Sequence, residues 1–189
     1  MPILTARLIL EPYTVDIAER LLAGVPAASD LWADGYPFAD ELDVARLYLR
    51  ISAEHGDPAP FGPYVVRLRA TGEAIGGLGF FGPPDAAADG TGEDATLDAD
   101  GGDTPGGTLG GTVEFGYGLI PGARGAGLAT EAVIAALHMA AALGALVARA
   151  DTTPDNIASQ RVMVKAGMTE VARSAASVVY ERRLQAHEE

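Results

Sequence analysis

Cysteine is absent from all 189 residues. That excludes disulfides, thiolate metal ligands and any mechanism that runs through a cysteine nucleophile. Basic side chains are scarce: 13 Lys and Arg stand against 26 Asp and Glu, a formal net charge of -13, and Lys165 is the sole lysine. Such a chain offers no basic stripe to a phosphate backbone, so nucleic acid is not an expected partner. An acidic surface favours cationic ligands instead. The histidines, His55, His138 and His187, are isolated from one another. They suggest no metal set, and no metal is expected.

Long apolar runs are also missing. Ala132–Ala148 carries no formal charge, but it is alanine-rich and interrupted by His138 and Gly144. A spanning helix needs about 20 strongly apolar residues. The opening MPILTARLILEPY lacks the basic segment and apolar stretch of a secretory signal. No membrane is expected, and the cytoplasm is the expected compartment.

What is present is a core-forming chain, 48% hydrophobic. Its length suggests one domain spanning 1–189, interrupted by an insertion. LILEPY alternates as a half-buried strand, and Thr14 can cap a helix through VDIAERLLAG. A second helix is expected over ELDVARLYLRISAEH. YVVRLRA and EAIGGLGFFG then read as a hairpin with a Thr-Gly turn. From about 83 to 111 the composition turns acidic and Gly-rich, with seven acidic residues and no basic one. Such a stretch buries too little to order itself and reads as a flexible spacer, with a lid or a lure for cations as the alternative. TVEFGYGLIP is a strand, and a helix follows from about Gly127 to Leu143. ALVARAD is a strand, TPDNIASQRVMVKAG a helix capped near Asp155 and Asn156, and MTEVARS and SVVYERRL two closing strands. The predicted architecture is a mixed α/β (α+β) sheet with helices on its faces, not a regular β-α repeat.

The chemistry concentrates in GARGAGLATEA, residues 122–132. Small residues before a helix expose N–H groups where partial positive charge gathers, a seat for phosphate. The spacing Gly122, Gly125, Gly127 is not the G-x-G-x-x-G of a dinucleotide site, and no lysine is present to make a P-loop. A plain Gly-rich turn capping a buried helix remains the simplest structural reading.

Arg124-Gly125-Ala126-Gly127-Leu128-Ala129 matches the Q/R-x-x-G-x-G/A signature of the GNAT superfamily of acyl-CoA-dependent N-acyltransferases. Together with TARLIL, VEFGYGLIP and DNIASQRVMVKAGM, in that order, the chain resembles the RimJ/RimL-type branch over nearly its full length. Met168 stands where the family usually has phenylalanine, and the acidic insertion is the main departure. The resemblance implies a mostly antiparallel sheet of about seven strands with helices on both faces. It also implies acetyl-CoA as co-substrate, and transfer of acetyl to an amine by direct attack in a ternary complex. The acceptor would be a protein N-terminus or a small cationic amine. A non-catalytic acyl-CoA-binding module, a longer acyl donor and a homodimer all stay open.

Site residues follow from the same resemblance. Cofactor contacts would come from Phe115, Gly116, Tyr117 and Leu119 on the strand and from Arg124 to Thr130 in the turn (Arg124, Gly125, Ala126, Gly127, Leu128, Ala129, Thr130). Asn156, Ser159 and Lys165 would add contacts from the later helix. Glu114, which alternation places on one face with Gly116 and Gly118, is the candidate base, with a solvent-facing glutamate as the plainer reading. Many members carry an acidic tyrosine where this chain has Met163; Ser159 is the candidate acid instead. First-turn serine and N-cap asparagine have plain structural roles as well. Trp32, Tyr36 and Phe38 lie where the family walls its acceptor pocket, or else anchor their own loop.

Overall fold

Thr14, at the end of the first long strand, sets the local pattern of the fold. In the computed structural model, which describes residues 1–84 and 111–185, its hydroxyl accepts from the Ile17 N–H at 3.2 Å. That bond caps α1 (Val15–Ala23), and Gly24 closes it in the left-handed region at φ +66°. Most of the acidic insertion, and His187, lie outside the described residues.

Two strands precede α1: β1 (Ile3–Leu4) and β2 (Leu8–Pro12). After α2 (Ala39–His55) come β3 (Pro63–Leu68), β4 (Ala74–Phe80) and β5 (Thr112–Leu119). α3 (Leu128–Ala142), β6 (Val147–Thr152), α4 (Ile157–Lys165), β7 (Thr169–Arg173) and β8 (Val178–Arg183) complete the order. Among the described residues one eight-stranded sheet results, ordered β1-β2-β3-β4-β5-β6-β8-β7, and of its neighbouring strands β5 and β6 alone pair in parallel. The expected seven strands become eight because Ile3 and Leu4 pair with Leu10 and Ile9 as a two-residue edge strand. Two residues are too few to show alternation.

The two faces are set by register. Gly77 pairs with Gly118 and Gly79 with Gly116, so these glycines share a face with Glu114. α2 covers this face: a β-carbon on Gly77 would strike the Glu41 carboxylate, and one on Gly118 would meet Phe38 Cζ at 2.9 Å. The opposite face carries Phe115 and Tyr117, and Tyr117 reaches α4. α3 and α4 pack against each other on that side. Alanines of α3 (Ala132, Ala136, Ala140) are buried to 1% or less and let the helix lie close against β5 and β2.

Gly76 marks the tightest contact between strands. A β-carbon there would collide with the Gly118 carbonyl and lie 2.9 Å from Leu119 Cα, both backbone atoms that cannot rotate away. Gly76→Ala is expected to lower the melting temperature by more than about 5 °C, because β4 and β5 must separate to admit one methyl group. A thermal scan by circular dichroism checks it.

Candidate functional site

The turn between β5 and α3 builds the first part of the site. Gly125 and Gly127 hold φ of +82° and +77°, a backbone that side chains strain to adopt. No atom lies within 4 Å of a β-carbon position on Gly122 or Gly125, and Gly127 meets only Arg7 Nη2 at 3.7 Å. Gly127 is also the N-cap of α3, and no side chain caps the helix. Its first N–H groups therefore keep their hydrogen-bonding capacity at the positive end of the helix dipole. Arg124 Nε donates to the Leu119 carbonyl at 2.9 Å, tying the turn to the end of β5.

Arg7 flanks this turn. Its Nη1 donates to the Ala126 carbonyl at 2.9 Å and its Nε to Glu131 Oε2 at 2.7 Å. Thr5 Oγ1 and the Arg7 N–H both donate to Glu131 Oε1, at 2.6 and 2.8 Å. Burial would raise the Glu131 carboxyl, but the bonds from Thr5 and Arg7 outweigh it and hold it below its usual range. The segment TARLIL thus pins the N-terminal strands to α3 and leaves a half-exposed guanidinium beside the glycines.

Next to the turn, β5 and β6 part. Their parallel ladder runs only from Thr112–Glu114 against Val147–Arg149. Further along, Tyr117 reaches from β5 to α4. Its hydroxyl lies 2.8 Å from Ser159 Oγ and donates to the Ser159 carbonyl at 3.1 Å. Burial raises the Tyr117 phenol above its ordinary range, against the opposing bond to Ser159, so it stays protonated and able to donate. Asn156 Oδ1 accepts the Ser159 N–H at 3.1 Å and so caps α4.

Among the described residues, two cavities open on the glycine face, and Phe81 lines both. The smaller, about 590 Å³, is polar and holds Glu114, Arg149, Asp151, Ser177 and Glu181. Glu114 is half-exposed, with Oε1 3.6 Å from Arg149 Nη1, and Arg149 is itself held by Glu181 at 2.5 Å. The larger, about 800 Å³, lies between α2 and the β3–β5 part of the sheet. Glu41 stands in its wall, 5% exposed, with the Tyr13 hydroxyl donating to Oε2 at 3.0 Å.

Residues 7–169 match the acetyltransferase (GNAT) domain model. The chain belongs to the GNAT acetyltransferase family. Solved structures agree in fold. An acetyltransferase from Agrobacterium tumefaciens is 21% identical, with TM-score 0.59 over 97% of this chain and 94% of that one. The RimL ribosomal-protein α-N-acetyltransferase, solved with coenzyme A, is 14% identical, with TM-score 0.60 over 99% and 100%. The microcin self-immunity acetyltransferase MccE, solved with acetyl-CoA and AMP, is 13% identical, with TM-score 0.58 over 95% and 94%. No curated protein matches the chain.

On this GNAT scaffold the site residues expected from sequence divide. Leu119 and the stretch from Arg124 to Thr130 are contiguous at the end of β5 and the start of α3. Tyr117 and Ser159 meet across the gap, and Asn156 joins them through the cap. Phe115 is 2% exposed and stacks between Phe80 and Tyr117, so only its backbone is available to a ligand. Lys165 lies in the last turn of α4, at the opposite end of that helix from Asn156. Trp32, Tyr36 and Phe38 form an edge-to-face ladder with centroids 6.1 and 6.5 Å apart. Of the three, only Phe38 lines the large cavity. Among the described residues no helix is long and apolar enough to cross a membrane, and no group of three or more His, Cys, Asp or Glu could hold a metal.

Glu41 and Tyr13 are the residues that sequence reasoning passed over. Burial pushes the Glu41 carboxyl from its ordinary 4.5 up to about 7; the Tyr13 bond pulls it down and nearby Asp40 adds a little upward. The folded protein therefore holds this proton more tightly than the unfolded chain. Stability from it is full below about pH 4.5 and is lost as pH rises through about 7. Glu41→Gln, measured by urea denaturation, is expected to gain on the parent by on the order of 3 kcal/mol between pH 4 and pH 8. A gap between the two proteins that does not change with pH would contradict this.

Proposed function

We propose that the chain moves an acetyl group from acetyl-CoA to a primary amine by direct attack in a ternary complex. The work is done by one domain that carries residues 83–111 as an insertion. The acceptor is a small cationic amine or a protein N-terminus. The observation that carries this reading is the uncapped start of α3 with its two left-handed glycines, opening where β5 and β6 part. That turn suits a pyrophosphate, because no atom lies within 4 Å of a β-carbon position on Gly122 or Gly125 and no side chain caps the first N–H groups of α3.

Each residue has its part. Gly125 to Thr130 supply backbone donors, with Arg124 and Arg7 adding positive charge. The thioester supplies an electrophilic carbonyl and a stable leaving thiol. An amine must be neutral to attack, and amines of pKa near 8 to 10 are mostly charged at neutral pH. Glu114 takes the proton, directly or through water. Arg149 Nη1, 3.6 Å from Glu114 Oε1, holds that carboxylate in the polar cavity. Ser159 protonates or hydrogen-bonds the leaving thiolate. Tyr117, whose hydroxyl touches Ser159 Oγ, extends the donor pair and stands in for the tyrosine absent at Met163. The net charge of -13 draws cationic acceptors to the surface.

The test is thiol release from acetyl-CoA in the presence of an amine panel, with product mass to confirm acetylation. A chain without cysteine adds no thiol background. Amine-dependent release supports the proposal. Tight acetyl-CoA binding with no transfer to any amine would instead favour a non-catalytic acyl-CoA-binding module.

A further inference from the structure

The larger cavity holds a combination that the transfer chemistry does not explain. Its walls are aromatic and aliphatic: Phe38, Tyr48, Phe61, Phe80 and Phe81, with Val44 from α2. Its ionisable lining residues are Asp40, Glu41, Asp57, His55 and three tyrosines besides Tyr117, with no lysine or arginine. Glu41 is buried with one hydrogen bond from Tyr13, and among the described residues no ion pair reaches it. Gly77 has no β-carbon, and the Glu41 carboxylate fills that space. Gly77 is the cross-strand partner of Gly118, so this carboxylate stands beside β5, the strand from which the resemblance draws cofactor contacts. A buried carboxylate with apolar walls and no cation is costly unless something supplies the missing charge.

We propose that this cavity is the acceptor site, that it takes a primary amine carried on an aromatic or aliphatic body, and that Glu41 receives the ammonium. Calling the ligand an acceptor rests on the acetyl-transfer reading; its chemical class does not. Glu114 lines the neighbouring cavity and not this one, so with the amine seated here its proton reaches Glu114 through water. A volume of about 800 Å³ holds a body of drug-like size. The lining selects it twice: apolar walls reward buried carbon, and the acidic set attracts positive charge. A polar amine such as ethanolamine satisfies only the second condition. A long acyl chain on the donor satisfies only the first and would lay methylenes against a carboxylate.

Burial raises the Glu41 carboxyl to about 7, so ammonium binding strengthens as pH rises from 6 to 8, while an alkylamine stays protonated. The groups facing Glu41 are Tyr13 and Tyr36 on the connecting segments and Asp40 on its own helix; Gly77 faces it from the sheet. His55, Asp57, Tyr48 and Tyr64 line the cavity as well.

Calorimetric titration of the full chain with phenethylamine, phenethyl alcohol and ethanolamine tests the assignment, run beside acetyl-CoA. Phenethylamine is expected to bind about tenfold or more tighter than either comparator, increasingly so from pH 6 to 8. In Glu41→Gln that preference over the alcohol is expected to vanish, with alcohol binding unchanged as proof of an intact pocket. Equal binding of amine and alcohol by the parent would overturn the proposal. So would better turnover with octanoyl-CoA than with acetyl-CoA, which would make the cavity a donor-chain site. If acetyl-CoA binds and phenethylamine does not, the pocket assignment falls and the transferase stands. If phenethylamine binds as described and acetyl-CoA does not, the ligand class stands and the acetyl-transfer reading falls.

Discussion

A protein carrying Gly125→Val and Gly127→Val together is expected to bind acetyl-CoA at least about a hundredfold more weakly than the parent. Two independent costs act at the same turn. Each valine must adopt a left-handed backbone, at φ +82° and +77°, which a β-branched side chain resists by more than about 1 kcal/mol. Relief of that strain rotates the peptide groups whose N–H bonds are proposed to hold the pyrophosphate. The new methyl groups also fill space that is open at Gly125 and nearly so at Gly127. Both positions are exposed, so the melting temperature should fall by a few degrees only. Calorimetry with circular dichroism separates lost binding from lost fold. Unchanged affinity in a folded double variant would move the phosphate seat elsewhere.

Glu114→Gln is expected to lower kcat/KM for an alkylamine by about a hundredfold, within the usual range for a lost general base. Glutamine keeps the size of the side chain but cannot accept a proton at neutral pH. Only the spontaneously neutral fraction of the amine then reacts, so the remaining rate should climb about tenfold per pH unit below the amine pKa. Acetyl-CoA affinity should be unchanged, because Glu114 lies in the polar cavity with Arg149 and not at the glycine turn. An α-amine, with its lower pKa, should lose less than an alkylamine. A kcat/KM equal to the parent across pH would remove Glu114 from proton transfer.

Much of the local structure could be read in advance. Thr14, Gly24 and Asn156 sit at helix ends as their residue types suggest. The run from Arg124 to Ala129 was ambiguous, since glycines before a helix suit a plain turn as well as a phosphate seat; in the fold Gly125 and Gly127 take the left-handed backbone that such a turn needs. Glu41 was not legible for a specific reason. An acidic residue in the first turn of a helix is ordinarily exposed and stabilised by the helix dipole, and ELDVARLYL gives no sign otherwise. Its burial depends on Gly77, 36 residues later, facing the same side of the sheet through the β4–β5 register. The Tyr117–Ser159 contact spans 42 residues and depends on where β5 and β6 part, which strand alternation does not encode. The aromatic trio was ambiguous in sequence because both roles need the same residue types. In the fold the roles divide, with Trp32 bridged to Ala74, Tyr36 buried and Phe38 alone reaching the cavity.

The central claim is that the start of α3 holds the pyrophosphate of acetyl-CoA. Its most direct test is a calorimetric titration with acetyl-CoA, using NADH and ATP as comparators. Saturable one-to-one binding of acetyl-CoA, tighter than both comparators and lost when Gly125 and Gly127 become valine, is the predicted result. Absence of acetyl-CoA binding at millimolar concentration, with NADH or ATP bound instead, would contradict it.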